Sequence, residues 1–185
     1  MKQLIKFASL TLAFALISFS VNAQSKTVMV GGEAMFPLKN IIENAVKSKA
    51  HTTLVAAVKA AGLVETLQGK GPFTVFAPVN DAFENLPAGT VETLLKPESK
   101  ATLTKVLTYH VVSGTYDFKA LASLIKKGKN TLKTVSGGTL SFMMNGPRNI
   151  LVKDESGNIA NIVTYDVYQS NGVIHSIDTV LLPKM

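Results

Sequence analysis

Residues 74–83 read TVFAPVNDAF, and this stretch decides the fold. Phe73 to Ala77 carries no charge and is apolar apart from Thr74. A run that short, closed by a proline, is the pattern of a buried strand. Asn80 and Asp81 follow, and short polar side chains of this kind satisfy the free N–H groups at a helix start. Phe83 and Leu86 then supply an apolar face. The segment is therefore a strand-to-helix junction. Thr74, Asn80 and Asp81 read as its structural polar groups, fixing the turn and the cap rather than performing chemistry.

Helical patterns gather upstream of this junction and for some distance beyond it. Gln24 to Asn40, with Gly31-Gly32 and Pro37, has no sustained period and reads as an N-terminal arm; a short helix over Asn40 to Lys47 completes a segment 24–47. Thr52 or Thr53 is placed to cap a helix whose face is Leu54, Val55, Val58 and Ala61. Gly62 lies near its end, and Leu63, Val64 and Leu67 form a further turn. Ser99 to Tyr109 is the clearest amphipathic helix, with Leu103, Val106, Leu107 and His110 on one stripe. Asp117 to Lys127 is another, burying Phe118, Leu121, Leu124 and Ile125, with lysines at its C-terminal end where they favour the dipole.

Beyond Thr131 the period changes to two. Leu140, Phe142 and Met144 alternate with Thr139, Ser141 and Met143. Turns at Asn145–Asn149 and Asp154–Asn158 separate this run from Ile150 and Val152, and from Ile159, Ile162, Val163 and Val167. Residues 171–183 read NGVIHSIDTVLLP, and Gly172 to Leu182 is expected to be the closing strand. Helices early and strands late predict an α+β fold rather than alternating βαβ units.

The segments TVFAPVNDAF and NGVIHSIDTVLLP, with Tyr109-His110 between them, resemble in order and spacing the fasciclin (FAS1) domain. The resemblance runs from about Thr52 to Pro183, and the domain is taken as residues 48–185. It implies a β-sandwich or wedge with a small α-helical bundle packed beside it, and a role in extracellular adhesion and interaction rather than catalysis. It also implies that Tyr109-His110 is an adhesion or receptor-contact segment. Read from the residues alone, the same pair is half-buried, with its polar tips in internal hydrogen bonds.

Residues 1–23 read as a signal peptide: Lys2 and Lys6, an uncharged run from Phe7 to Phe19, then Val21-Asn22-Ala23 before cleavage at Gln24. The expected location is therefore exported, periplasmic or secreted, with no transmembrane segment after cleavage. The chain has no cysteine. Thiol catalysis, thiolate metal sites and lipidation at a cysteine are excluded, and a domain of this length does not need disulfides.

Charge is unevenly placed. The whole chain is +7, and from Ser99 to Lys153 nine basic residues face one acid, Asp117. Lys119, Lys126, Lys127, Lys129 and Lys133 belong to this block, and Lys126, Lys127 and Lys129 are the densest part of it. Such a block attracts an anionic polysaccharide or the acidic surface of a cell-surface protein. It equally suits a solvated face. Arg148 is the one arginine, so Arg-Gly-Asp recognition is absent. Export and the lack of a nucleic-acid motif exclude nucleic acid as partner. Nothing in the sequence sets an oligomeric state.

Catalytic and metal constellations fare poorly. His175, Ser176 and Asp178 lie together, but on a strand adjacent side chains face opposite ways, so no nucleophilic triad forms. They read as structural parts of the closing strand. The three histidines, His51, His110 and His175, lack ligand spacing, and the methionines are unpaired, so no metal and no cofactor is expected. The alternative to adhesion is a periplasmic module for a small apolar ligand. That requires a cavity between helices and sheet, with Phe118, Leu121 and Phe142 as candidate lining.

Overall fold

Two glycines with left-handed backbones open the architecture. Gly31 (φ 60°) and Gly32 (φ 79°) make a tight turn between β1 (Val28–Val30) and β2 (Glu33–Met35), the turn geometry that matches strand twist. The computed structural model describes residues Thr27 to Lys184, so the leader expected over 1–23 lies outside the described residues. The segment read as an irregular arm is thus a hairpin. Its strands are three residues long, too short for a period of two to register. Val30 and Met35 are buried in the main core.

The helices follow: α1 (Ile41–Ala45), α2 (Thr52–Ala61), α3 (Val64–Gln68), α4 (Asn80–Glu84), α5 (Thr90–Leu94), α6 (Lys100–Tyr109) and α7 (Phe118–Lys126). Asn40 and Glu43 form a reciprocal capping box on α1. Gly62 (φ 75°) ends α2 in the left-handed conformation that glycine adopts without steric cost. The cap of α2 differs from expectation, because neither threonine side chain provides it. Asn80, from the junction after the next strand, reaches back. Its Oδ1 accepts from the Thr53 N–H (3.2 Å) and the Thr52 hydroxyl (3.1 Å), and its Nδ2 donates to the Lys49 carbonyl at 2.8 Å. Asn80 therefore caps a helix in trans and gives its own helix, α4, no side-chain cap.

The strands are β3 (Phe73–Pro78), β4 (Val111–Ser113), β5 (Thr131–Lys133), β6 (Thr139–Met144), β7 (Ile150–Lys153), β8 (Ile159–Gln169) and β9 (Gly172–Ile177). They form one sheet in the order β4-β3-β9-β8-β7-β6-β5. Only β3 and β9 run parallel, with Phe76 opposite His175; the other pairs are antiparallel. β8 pairs with β7 through Ile159–Asn161 and with β9 from Ile162 onward, and its register shifts between Ile162 and Val167. Asp166 takes a positive φ of 56° there. Such an irregularity bends a strand. The sheet accordingly folds over on itself as a wedge, and its two ends meet at a Val112–Thr134 bridge and a Val135 N–H to Val111 carbonyl bond of 2.8 Å.

β3 divides the interior in two, as alternation along a strand requires. Val75 and Ala77 face the helices and the hairpin; Phe76 faces the wedge interior with Leu140, Phe142, Ile150 and Ile177. β9 is buried along its whole length, which accounts for its β-branched run. Elsewhere the alternation fails at the margins: Met144, Ile159 and Val163 are exposed. Regular pairing of the closing strand stops at Ile177 instead of continuing to Leu182. Asn80→Ala should lower unfolding free energy by roughly 1–2 kcal/mol in urea titration, the cost of a lost helix cap. An unchanged midpoint would mean that water replaces the trans cap.

Candidate functional site

Tyr109 ends α6 and packs in the wedge core, and His110 follows it at the helix end. Tyr109 has no exposed surface and His110 retains 3%. The Tyr109 hydroxyl donates to the Thr139 carbonyl and accepts from the Glu155 N–H, each at 2.9 Å. His110 Nδ1 lies 2.8 Å from the Val106 carbonyl and must donate to it, while Nε2 accepts from the Leu181 N–H at 3.0 Å. That fixes the neutral tautomer with the proton on Nδ1, since protonating Nε2 would set two donors against each other. Burial pushes the imidazole down to about 4 and the Tyr109 hydroxyl up to about 12. The resemblance implies that these two side chains contact a partner; in this structure both are buried and every side-chain polar atom of the pair is engaged internally.

The remaining structural residues act on the backbone. Thr74 Oγ1 donates to the Gly114 carbonyl (2.7 Å) and accepts from the Tyr116 N–H (2.9 Å). His175 Nε2 donates to the Tyr116 carbonyl at 2.8 Å, and its ring lies against Phe76 and Tyr165. Thr74 and His175, one on each parallel strand, thus clamp the same loop. Burial lowers the His175 imidazole as well. Asp178 sits beyond the strand and binds the Asn161 backbone N–H and side-chain amide, both at 2.8 Å. Ser176, opposite in facing to His175, is buried with an unpartnered Oγ. Asp81 is exposed in the first turn of α4, where a carboxylate favours the helix dipole. The structure therefore separates His175, Ser176 and Asp178. Among the described residues, no three His, Asp or Glu side chains gather as a metal site.

The lysines behave differently. Lys119, Lys126, Lys127, Lys129 and Lys133 are all exposed. Lys119 and Lys126 stand two turns apart on one side of α7, which Asp117 caps through the Ala120 N–H (2.8 Å). Lys127 and Lys129 continue past its end, and Lys133 lies on β5, an edge strand of the sheet. The one ion pair among the described residues joins Lys49 to Glu33 at 3.7 Å, away from this group.

An apolar cavity of about 110 Å³ lies between the helices and the outer face of β3 and β9. Phe118, Leu121 and Phe142 do not line it, contrary to expectation; they pack on the other side of β3, inside the wedge. Its walls come from Leu54 and Val58 of α2, from Ile41, and from Val75, Val111 and Ile174 of the sheet. His51 also lines it, 4% exposed, with its Nε2 making no hydrogen bond. Sequence reasoning passed over His51, because a lone histidine ahead of a helix carries no signal of burial.

Comparison with known proteins agrees with this geometry. The model of the family described as Fasciclin domain matches residues 49–183. The chain is similar to Protein sll1483 of Synechocystis sp., 47% identical over 162 residues, which is 86% of this chain and 82% of that protein. It is 35% identical over 159 residues to the cell surface glycolipoprotein MPT83 of Mycobacterium tuberculosis, covering 83% of this chain and 64% of that one. Transforming growth factor-beta-induced protein ig-h3 of Sus scrofa is 37% identical over 130 residues, 70% of this chain but 17% of its own length. The fold also matches the FAS1 domain pair of the insect cell adhesion molecule Fasciclin I. The TM-score is 0.70 at 18% identity, over 79% of this chain and 51% of that structure.

His110→Ala should lower stability by roughly 1–3 kcal/mol, because it orphans the Val106 carbonyl and the Leu181 N–H. A thermal melt indistinguishable from wild type would contradict the burial. The folded value near 4 lies below that of an unfolded histidine, so the unfolded state binds more protons in between. Stability is then full above about pH 6.5 and falls as pH drops toward 4, by about 3 kcal/mol from His110. Urea titrations across that range should show a shallower fall in His110→Gln than in wild type.

Proposed function

The chain belongs to the fasciclin domain family, and on that premise we propose that it is an exported interaction module acting by surface contact. Its task is adhesion, at a cell surface or in matrix, to an anionic polysaccharide or to an acidic surface on a cell-surface protein. The family is an adhesion-type domain found in cell-adhesion proteins and surface glycolipoproteins. The observation that carries the reading is the exposure of Lys126, Lys127 and Lys129, with Lys119 and Lys133 near them in the chain, none of them in an ion pair among the described residues. Like charges that outnumber the nearby carboxylates raise a positive potential that a polyanion lowers. Lysine suits such a partner, since a flexible point charge can follow irregular sulfates or carboxylates without the fixed fork of arginine. In this reading Tyr109 and His110 hold the domain in shape, and α7 presents the contact.

Small-ligand binding is the second activity the fold allows. The cavity beside α2, which no residue of α7 lines, favours it.

Beads coated with the protein should adhere to the producing cells and to their extracted anionic polysaccharide. Replacing Lys126, Lys127 and Lys129 together by alanine should weaken that adhesion about tenfold or more, on the order of 1.4 kcal/mol. Raising salt should weaken wild-type binding steeply, as screening shortens the reach of exposed charges. Adhesion that is flat in salt and indifferent to the triple substitution would remove the lysines from the mechanism.

A further inference from the structure

Beyond surface adhesion, we propose that the cavity between α2 and the sheet binds a small, neutral, hydroxyl-bearing apolar molecule, with the hydroxyl on His51 Nε2. Three observations converge on this. The first is size: about 110 Å³ is comparable with the roughly 150 Å³ apolar cavity that takes up benzene, so the occupant has about as many heavy atoms as one small ring. Ala45 and Ala77 help keep the space open, as they put a methyl where a larger side chain would fill it.

The second is the wall chemistry. Apolar side chains dominate it; the charged residue among them is the exposed Lys59, and a charged group placed deeper, among Leu54, Val58 and Ile174, would lose its hydration. Burial also lowers the His51 imidazole, so its ring is a neutral hydrogen-bonding group near pH 7.

The third is the unsatisfied polar atom. His51 Nδ1 meets the Ser48 hydroxyl at 2.9 Å, and the Ala77 carbonyl lies beside the ring without meeting Nε2 in hydrogen-bond geometry. Buried polar atoms are normally paired, so an idle one on a cavity wall marks where a ligand atom belongs. Ser48 can donate to Nδ1 or, with its proton turned to the Val30 carbonyl (3.4 Å), accept from it. Nε2 is then a donor in the first case and an acceptor in the second. A hydroxyl pairs with either; a ketone or an ether pairs with only one. Access is also provided, because Val46 and Val135 line the cavity and are each 47% exposed.

The test is an NMR titration of the isotopically labelled purified protein with phenol, and in parallel with benzene. Phenol should give saturable shifts on the methyls of Leu54, Val58, Val111 and Ile174 and on the His51 ring. It should bind about five- to tenfold tighter than benzene, the value of one net hydrogen bond. His51→Phe should erase that preference while retaining benzene binding. Ala45→Leu, at a half-buried helical position, should abolish saturable binding of both. Should Ala45→Leu fold poorly, the wild-type shift map and His51→Phe still decide. Non-saturable shifts, or shifts on the lysine face instead of these methyls, would overturn the site. Equal affinity for phenol and benzene in wild type would overturn the role of His51.

Discussion

The buried pair Tyr109-His110 is the constraint on which the rest of the wedge depends. Two adjacent side chains reach four places: the last turn of α6 at Val106, the start of β6 at Thr139, the turn after β7 at Glu155, and the terminal segment at Leu181. None of these contacts belongs to a sheet ladder. Together with the Asp178–Asn161 bonds they fix the C-terminal residues beyond Ile177, where regular strand pairing has already ended. Asp154 completes the closure by accepting from the Leu182 N–H at 2.8 Å, one residue along from the bond to His110. A buried network with every member satisfied specifies one arrangement, because any other leaves a polar atom stranded.

The same logic explains why short stretches of sequence reveal the fold so clearly. TVFAPVNDAF and NGVIHSIDTVLLP, the first and last of the telling segments, are 97 residues apart at Thr74 and Asn171, yet they form the parallel β3–β9 pair. Thr74 and His175 then fix a single loop from the two strands. Asn171 ties the strand start to two helices, accepting from the Ile41 N–H of α1 (3.0 Å) and donating to the Leu67 (2.8 Å) and Gly69 (3.0 Å) carbonyls at the end of α3. Residues fixed by such non-local bonds cannot vary freely without loss, so their types stand out against a background that obeys only the hydrophobic period.

What was illegible fails for a physical reason in each case. The β1–β2 hairpin has too few residues per strand to display alternation. The helix cap from Asn80 acts across 27 residues, and a sequence window sees only its own helix. The wedge interior was foreseeable from Leu140, Phe142, Ile150 and Val152, whose period of two is sustained. The lining of the cavity between helices and sheet was not, because a void is the absence of a side chain and depends on how the helices meet the sheet. Its histidine is similarly silent, since burial of a lone polar residue is a tertiary fact.

The residues that announce the family are therefore among the least exposed in the molecule. Tyr109, Thr74 and His175 have no accessible surface, and an inaccessible side chain cannot select a partner. Under the proposed function, recognition of the fold and recognition of a partner would draw on disjoint sets of residues. The first set lies at the seams between β3, β9 and α6. The second can only come from what the fold leaves outside, such as α7 and its lysines, or from the space it leaves unfilled beside α2. Fold alone is a weak guide to function for this reason. A scaffold whose identity resides in its interior puts little constraint on its surface charge. The proposed contact on α7 and the proposed cavity site can then change independently, because β3 stands between the wedge core, against which α7 packs, and the cavity wall.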